Sequence, residues 1–401
     1  CALPISGYNT YEIFPLNGET ATPYNNVGYP LLTWEKAKTF QTELEFSLFK
    51  KRIIEGSVAF YSKTTDNLIF DRRTPTSLGY AIDKTNDGKL LNQGIEFTIN
   101  ANILRTENAY ISLGINGELL KNKLTRMPID PSTSLEKTID VQGLYGWAEG
   151  KSIYDFYLQE WAGVNQQNGR GRWIMNYIDV DGNGTYSTGD TKIANLHDFQ
   201  LKNPNANIAQ QVTENYSDAT LRYVGKSAIP KIMGGFTLNG GYKGFSLSAQ
   251  FLYRIGGYAY DGTYASLMNN NRIGLNNWHK DMLQSWNDNL FNPNTNSDIP
   301  RLSNGLAAGS LNDTQANATS SRFLTKADYL ALNNLRLAYD FSNNVVSNIG
   351  LTGLSFFVTG DNLWLSTKRN GFNPTTSESG SSSTYTYSPV TTFTFGVRAK
   401  F

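Results

Sequence analysis

The chain ends in "TTFTFGVRAKF", residues 391–401. Phe393, Phe395, Val397, Ala399 and Phe401 alternate with Thr394, Gly396, Arg398 and Lys400 without a break. Period two gives a strand one apolar and one hydrated face. Chain ends ordinarily fray. A terminus patterned to its final side chain is therefore expected to zip against a neighbouring strand.

The same grammar recurs upstream. In "FQTELEFSLF" (40–49), Phe40, Thr42, Leu44, Phe46 and Leu48 oppose Gln41, Glu43, Glu45 and Ser47. "GIEFTINANI" (94–103), "GFSLSAQFLYR" (244–254), "NLRLAYDF" (334–341) and "GLSFFVTGD" (353–361) repeat it, with Phe97, Leu247, Leu337 and Phe356 on their apolar sides. The connections are of two kinds. "KKR" (50–52), "RTEN" (105–108) and "YKG" (242–244) read as tight hairpins, whereas 65–92, 124–152 and 256–328 are longer than a compact domain carries. A soluble β-sandwich spaces its strands evenly. Short turns at one rim and long loops at the other are the outer-membrane barrel arrangement.

The expected fold class is therefore all-β, an antiparallel transmembrane β-barrel portion of about eleven strands. They are placed near 38–49, 52–63, 93–104, 109–121, 153–163, 171–179, 230–241, 244–254, 332–341, 353–364 and 390–401. Bacterial single-chain barrels have even strand numbers, so an odd count reads as half a barrel. Taking the short turns as periplasmic puts the C-terminus in the periplasm.

Composition agrees. Hydrophobic residues make up 39% of the 401, and no run approaches the roughly 18 apolar residues of a membrane-spanning helix. That excludes nothing for a barrel, whose strands are apolar only at every second residue. The 23 Tyr, 21 Phe and 36 Gly suit strands and turns. Lys and Arg (35) balance Asp and Glu (34), leaving no basic field for nucleic acid. Cys1 is the single cysteine, which excludes internal disulfides and a Cys-based metal site. Cys1 is either the lipidated residue of a processed lipoprotein or the first residue of a chain cut from something longer.

Several blocks then resemble one family, in its order. They are "LTWEKAKTFQTELEFSLFKKRIIEGSVAFYSKTTDNLIF" (32–70), "LLNQGIEFTINANI" (90–103), "SAIPKIMGGFTLNGGYKGFSLSAQF" (227–251), "SSRFLTKADYLALNNLRLAYDF" (320–341), "FFVTGDNLW" (356–364) and "FTFGVRAKF" (393–401). Together they resemble the SusC/RagA-like TonB-dependent transporters of the Bacteroidetes outer membrane. The resemblance implies that residues 1–401 are the C-terminal part of a barrel of about 22 strands, with the plug domain and N-terminal strands lying outside these residues. It implies a nutrient importer for oligosaccharides or peptides, set in outer-membrane lipid, energised through the TonB complex and capped by a SusD-like surface lipoprotein. It further implies that the barrel-assembly machinery reads the terminal strand, with Phe393, Phe395 and Phe401 as its signal. Two departures stand out: Ala331 occupies a place where the family commonly has Arg, and the acidic loop is altered. The alternatives are a passive porin, or a soluble β-rich glycan-binding surface protein anchored through Cys1.

The most specific local motif is "DVDGNGTYSTGD" (179–190). Asp179, Asp181, Asn183, Thr185, Ser187 and Asp190 fall at positions 1, 3, 5, 7, 9 and 12, with Gly184 at position 6. This is the spacing of a calcium loop, ending in Asp rather than Glu, with Thr185 offering its carbonyl. An Asx-rich turn gives the same residues without Ca²⁺. Tyr258, Tyr260, Tyr264, Trp278 and Trp286 offer aromatic platforms beside amides for a substrate, or knit the long loop together. The segment around Trp278 and Met282 has the i,i+4 spacing of a short helix. His197 and His279 stand in no catalytic spacing, so no enzyme is expected.

Overall fold

The computed structural model describes residues 10–11, 14–16, 19–21, 24–26, 29, 32–73, 82–130, 133–270, 277–303, 315–347, 350–377, 379, 381–382 and 387–401. The readings that concern Cys1 and most of residues 1–30 fall outside them. Nine strands form one sheet: β1 (Lys36–Leu48), β2 (Ile54–Arg73), β3 (Ile82–Arg105), β4 (Ala109–Arg126), β5 (Ile232–Tyr242), β6 (Phe245–Ile255), β7 (Tyr329–Asp340), β8 (Gly353–Thr367) and β9 (Thr392–Lys400). Their order in the sheet is their order in the chain, an up-and-down meander with β1 and β9 at its edges among the described residues.

The register explains why the sheet has two unlike faces. Ile111 of β4 lies opposite Gly240 of β5, which continues through Leu247, Leu337 and Val358 to Phe395 of β9. The next row runs Tyr242, Phe245, Tyr339, Phe356, Val397. The alternate row is Ser112, Asn239, Ser248, Arg336, Thr359, Thr394. Apolar partners therefore meet apolar partners across six strands. Leu247 is 41% exposed, Leu337 50% and Phe395 75%. No layer of the described chain covers these side chains.

The hydrated face is cross-linked by polar side chains. Ser248 Oγ donates to Asn239 Oδ1 at 2.7 Å, Asn334 Nδ2 to Asp361 Oδ1 at 2.6 Å, and Gly235 N to Asn116 Oδ1 at 2.9 Å. Phe357 breaks the alternation, and its ring lies on Gly396, where a Cβ would collide with it. The Arg336 guanidinium carbon lies over the same ring, 5.0 Å from the Phe357 centroid.

The expected hairpins at 50–52, 105–108 and 242–244 all occur. Lys51 and Arg52 take φ of 67° and 53°, and Lys243–Gly244 turns with φ of 45° and 89°. Two expectations need correction. The sheet has nine strands among the described residues, not eleven, because 153–163 and 171–179 pair elsewhere. Asp155–Gln159 pairs with Leu221–Ser227, and Trp161–Val164 and Gly171–Ile178 belong to a separate small sheet. The reason is burial: Phe156, Tyr157 and Leu158 are consecutive and all buried, which a strand with one wet face does not allow. The supposed long connection over 65–92 is mostly strand, since β2 runs to Arg73 and β3 begins at Ile82.

The chain divides into two compact units, residues 1–42, 60–94 and 121–153, and residues 43–59, 95–120 and 154–401. The first has a core of Phe70, Leu90, Leu124 and Met127. Phe70 and Trp147 meet edge to face there, 5.4 Å between centroids. The second carries β5 to β9 together with the loops described next.

Candidate functional site

The long loops after β6 and β8 fold into a packed cluster. Gly256 and Gly257, with φ of 80° and 82°, turn the chain off β6. Tyr258–Tyr260 then pairs with Leu324–Lys326. Asp261 caps the short helix Gly262–Leu267 by accepting from Tyr264 N at 2.9 Å. Ala265 of this helix clusters with Met268, Met282 and Phe323, with Tyr260, Tyr264, Trp278 and Ile299 packed against them.

The structure thus brings three of the five sequence-predicted aromatics, Tyr260, Tyr264 and Trp278, onto one apolar cluster. Tyr258 and Trp286 are not part of it. Lys226 Nζ stands 5.1 Å from the Tyr258 ring centroid. Trp286 is buried, donates its indole N–H to Gln166 O at 3.2 Å, and packs so closely on Gly169 that a Cβ there would collide with its ring. Trp278 donates to Asn269 O at 2.9 Å. The expected helix is a 3₁₀ turn, Lys280–Gln284, capped by His279, which accepts from Asp281 N.

A polar network joins these loops, and no local sequence signal marks it. Arg369 pairs with Asp261 at 3.0 Å, and its guanidinium carbon lies 3.9 Å from the Tyr264 ring centroid. Ser382 Oγ donates to Asp261 Oδ1 at 2.6 Å. Tyr264 OH donates to Asp281 Oδ2 at 2.9 Å. Burial first, and then this bond to a carboxylate, push the Tyr264 phenol up to about 12.

The acidic loop lies between Gly171–Ile178 and Thr191–Ile193, neighbouring strands of one small sheet. Carboxylate oxygens of Asp179, Asp181 and Asp190 lie within 4.8 Å of one another. Asp179 is buried and accepts from Gly182 N (2.9 Å) and Gly184 N (3.0 Å). Asp190 accepts from Val180 N (3.0 Å) and Ser187 N (2.7 Å), and these backbone bonds hold its carboxyl below the usual range. Asn183 Oδ1 accepts from Thr185 N at 2.6 Å. Ser187 Oγ lies 3.4 Å from Asp181 Oδ2. The loop therefore folds with three carboxylates converging, and no ion pair among the described residues neutralises them. That donor set fits a hard divalent cation.

At the C-terminus, Phe393, Phe395 and Phe401 are 62%, 75% and 90% exposed. Phe393 and Phe395 stand on the edge strand β9, in register with Gly360 and Val358 of β8. Thr352 Oγ1 donates to the Phe401 carbonyl at 3.2 Å.

No family model matches the chain. In sequence it is 26% identical to TonB-dependent receptor P3 of Formosa agariphila, over 96% of this chain and 36% of that protein. It is 23% identical to TonB-dependent receptor SusC of Bacteroides thetaiotaomicron, over 86% of this chain and 30% of that protein. The chain thus spans about a third of the length of these curated relatives. Among solved structures, the RagAB peptide transporter aligns with a TM-score of 0.74 at 22% identity, over 99% of this chain and 39% of the other. The RagAB peptide importer in its closed-closed state gives 0.75 at 21%. The fold is that of a portion of an outer-membrane-type antiparallel β-barrel. More particularly, the chain is SusC/RagA-like, resembling TonB-dependent receptors in sequence and the RagAB transporter in fold, as its sequence blocks indicate.

Proposed function

We propose that the chain is barrel wall and extracellular loops of a TonB-dependent nutrient importer of the outer membrane. The observation that carries this reading is the row of exposed apolar side chains across β4 to β9, backed by a row of Ser, Asn, Arg and Thr. Such a sheet suits hydrocarbon on one side and a hydrated passage on the other. The short turns and the C-terminus face the periplasm, and the barrel-assembly machinery reads Phe393, Phe395 and Phe401. A SusD-like lipoprotein caps the loops, and oligosaccharides or peptides are the cargo, held by loop aromatics such as Tyr258. Similarity to receptors that include SusC supports the importer over a passive porin. The test is uptake by cells carrying the full-length receptor, fed a mixture of labelled oligosaccharides and peptides. Uptake should disappear on deletion of either the receptor or TonB. Uptake that persists without TonB would leave the porin.

Residues 179–190 add a calcium loop to this reading. Asp179, Asp181, Asn183, Ser187 and Asp190 would supply side-chain oxygens and Thr185 its carbonyl; the ion would hold the loop in shape. Calorimetry of the full-length receptor should give saturable heat with Ca²⁺, and Asp181→Ala should weaken affinity at least about tenfold, the scale of a lost charged ligand. Equal heats from the two proteins would mean an Asx-rich turn and nothing more.

A further inference from the structure

Three arginines of the same unit have carboxylate partners: Arg170 with Glu214 (3.6 Å), Arg222 with Glu160 (3.3 Å) and Arg369 with Asp261 (3.0 Å). Arg322 has none among the described residues. Its guanidinium carbon lies 5.0 Å from the Trp161 ring centroid and 4.8 Å from that of Phe323, and Nη1 donates to Ala316 O at 2.7 Å. Ring faces and one carbonyl offset only part of what it costs to remove a guanidinium from water. Burial pulls the Arg322 pKa down to about 10, which leaves it cationic at neutral pH. The titratable groups acting on it are the hydroxyls of Tyr260 and Tyr264, both pushed up by burial and so uncharged.

The segment around that carbonyl is under-satisfied too. Gln315 Oε1 and Asn317 Oδ1, on either side of Ala316, are buried without a hydrogen-bond partner, as is Ser320 Oγ. Native proteins leave few such groups. A cation without an anion takes a carboxylate, whereas the unpartnered amide oxygens take donors, such as the hydroxyl or N–H groups that the rest of a ligand carries.

We propose that Arg322 is an anion subsite of the loop cluster, taking the carboxylate of an acidic ligand. This rests on the importer reading and narrows its cargo. The planar guanidinium matches a carboxylate through two parallel N–H···O bonds, while Trp161 and Phe323 fix its orientation. Two sources offer the same chemistry, a uronic-acid oligosaccharide and an acidic peptide.

The test uses the full-length receptor purified in detergent, with tetragalacturonate and tetraglutamate as probes and their neutral counterparts, the methyl-esterified tetragalacturonate and tetraglutamine. At least one acidic probe should bind about tenfold or more tightly than its neutral counterpart, and which one it is identifies the source. Arg322→Gln should erase that preference. Arg322→Lys, which keeps the charge and loses the fork, should retain only part of it and serves alone where the Gln variant does not fold. No acid preference in the wild type overturns the proposal, as does a preference unchanged in Arg322→Gln of wild-type melting temperature. So does a preference unchanged in Arg322→Lys. Binding is read without energy or TonB, so a failure of import leaves this result interpretable. TonB-dependent uptake without acid preference would remove the subsite alone.

Discussion

Replacing Leu337 by Arg should destabilise the full-length receptor in lipid vesicles by about 2 kcal/mol, the scale of a cation on the lipid face of a barrel. Thr359→Arg, one strand away, should change stability by no more than about 0.5 kcal/mol. The two positions differ in face, and the small cost allowed at Thr359 covers the like charge of Arg336 directly opposite it. Leu337 lies in the row of Leu247, Val358 and Phe395, whereas Thr359 lies in the row of Ser248 and Arg336. The cost should also depend on depth. Tyr242 abuts the Lys243–Gly244 turn and is 58% exposed. Tyr242→Arg should cost only about 0–1 kcal/mol, because an arginine near the interface reaches water. Urea titration of the three variants measures this series. Equal costs at Leu337 and Tyr242 would point to a packed protein core beneath the apolar face rather than to hydrocarbon.

Much of this sheet is legible in the sequence because each residue pair on a strand has one environment to satisfy. Alternation around Phe97, Leu247 and Leu337 places their strands and faces without tertiary information. The sheet departs from that pattern where a second influence intervenes. Ala249 lies opposite Leu335 but Phe251 opposite Leu332, so β7 carries an extra residue there. That bulge keeps Leu330 and Leu332 on the apolar face although their parity differs from that of Leu335 and Leu337. No period-two scan finds it. Strands β2 and β3 outrun their alternation because Phe70 and Leu90 are drawn into a local core. Conversely, 155–158 and 171–178 have strand propensity but are buried or half-buried on both faces, which hydropathy alone cannot distinguish from a lipid-facing ribbon.

The candidate sites divide by sequence distance. All the acidic groups of the 179–190 loop come from twelve consecutive positions, so spacing alone brings them to notice. Arg322 is invisible by that means, because what marks it is the Trp161 ring, brought beside it from a distant part of the chain. The aromatic residues of 258–286 are visible as composition, but their packing roles depend on Phe323 and Arg369, which arrive from other loops.

Asp261→Ala should cost the loop cluster about 3 kcal/mol, the effect expected when one member of a buried, hydrogen-bonded pair is removed. Asp261 is 4% exposed. Its carboxylate serves three donors from separate parts of the chain: Tyr264 N, the Arg369 guanidinium and Ser382 Oγ, the last 121 residues away. Truncation leaves Arg369 over the Tyr264 ring with no counter-charge and removes the cap of the helix Gly262–Leu267. The loss should be local, because β5 to β8 are held by their own ladders and loops of this kind open independently of such a sheet. Hydrogen exchange of the full-length receptor should therefore show lost protection in 258–268 and unchanged protection in 232–255. Asp261→Asn keeps an acceptor for Tyr264 N and Ser382 Oγ but not the charge, so it should lose roughly half as much. Full protection of 258–268 in Asp261→Ala would mean that the apolar cluster of Met268, Met282 and Phe323 holds these loops without the ion pair. Arg369 would then be a bystander to their architecture.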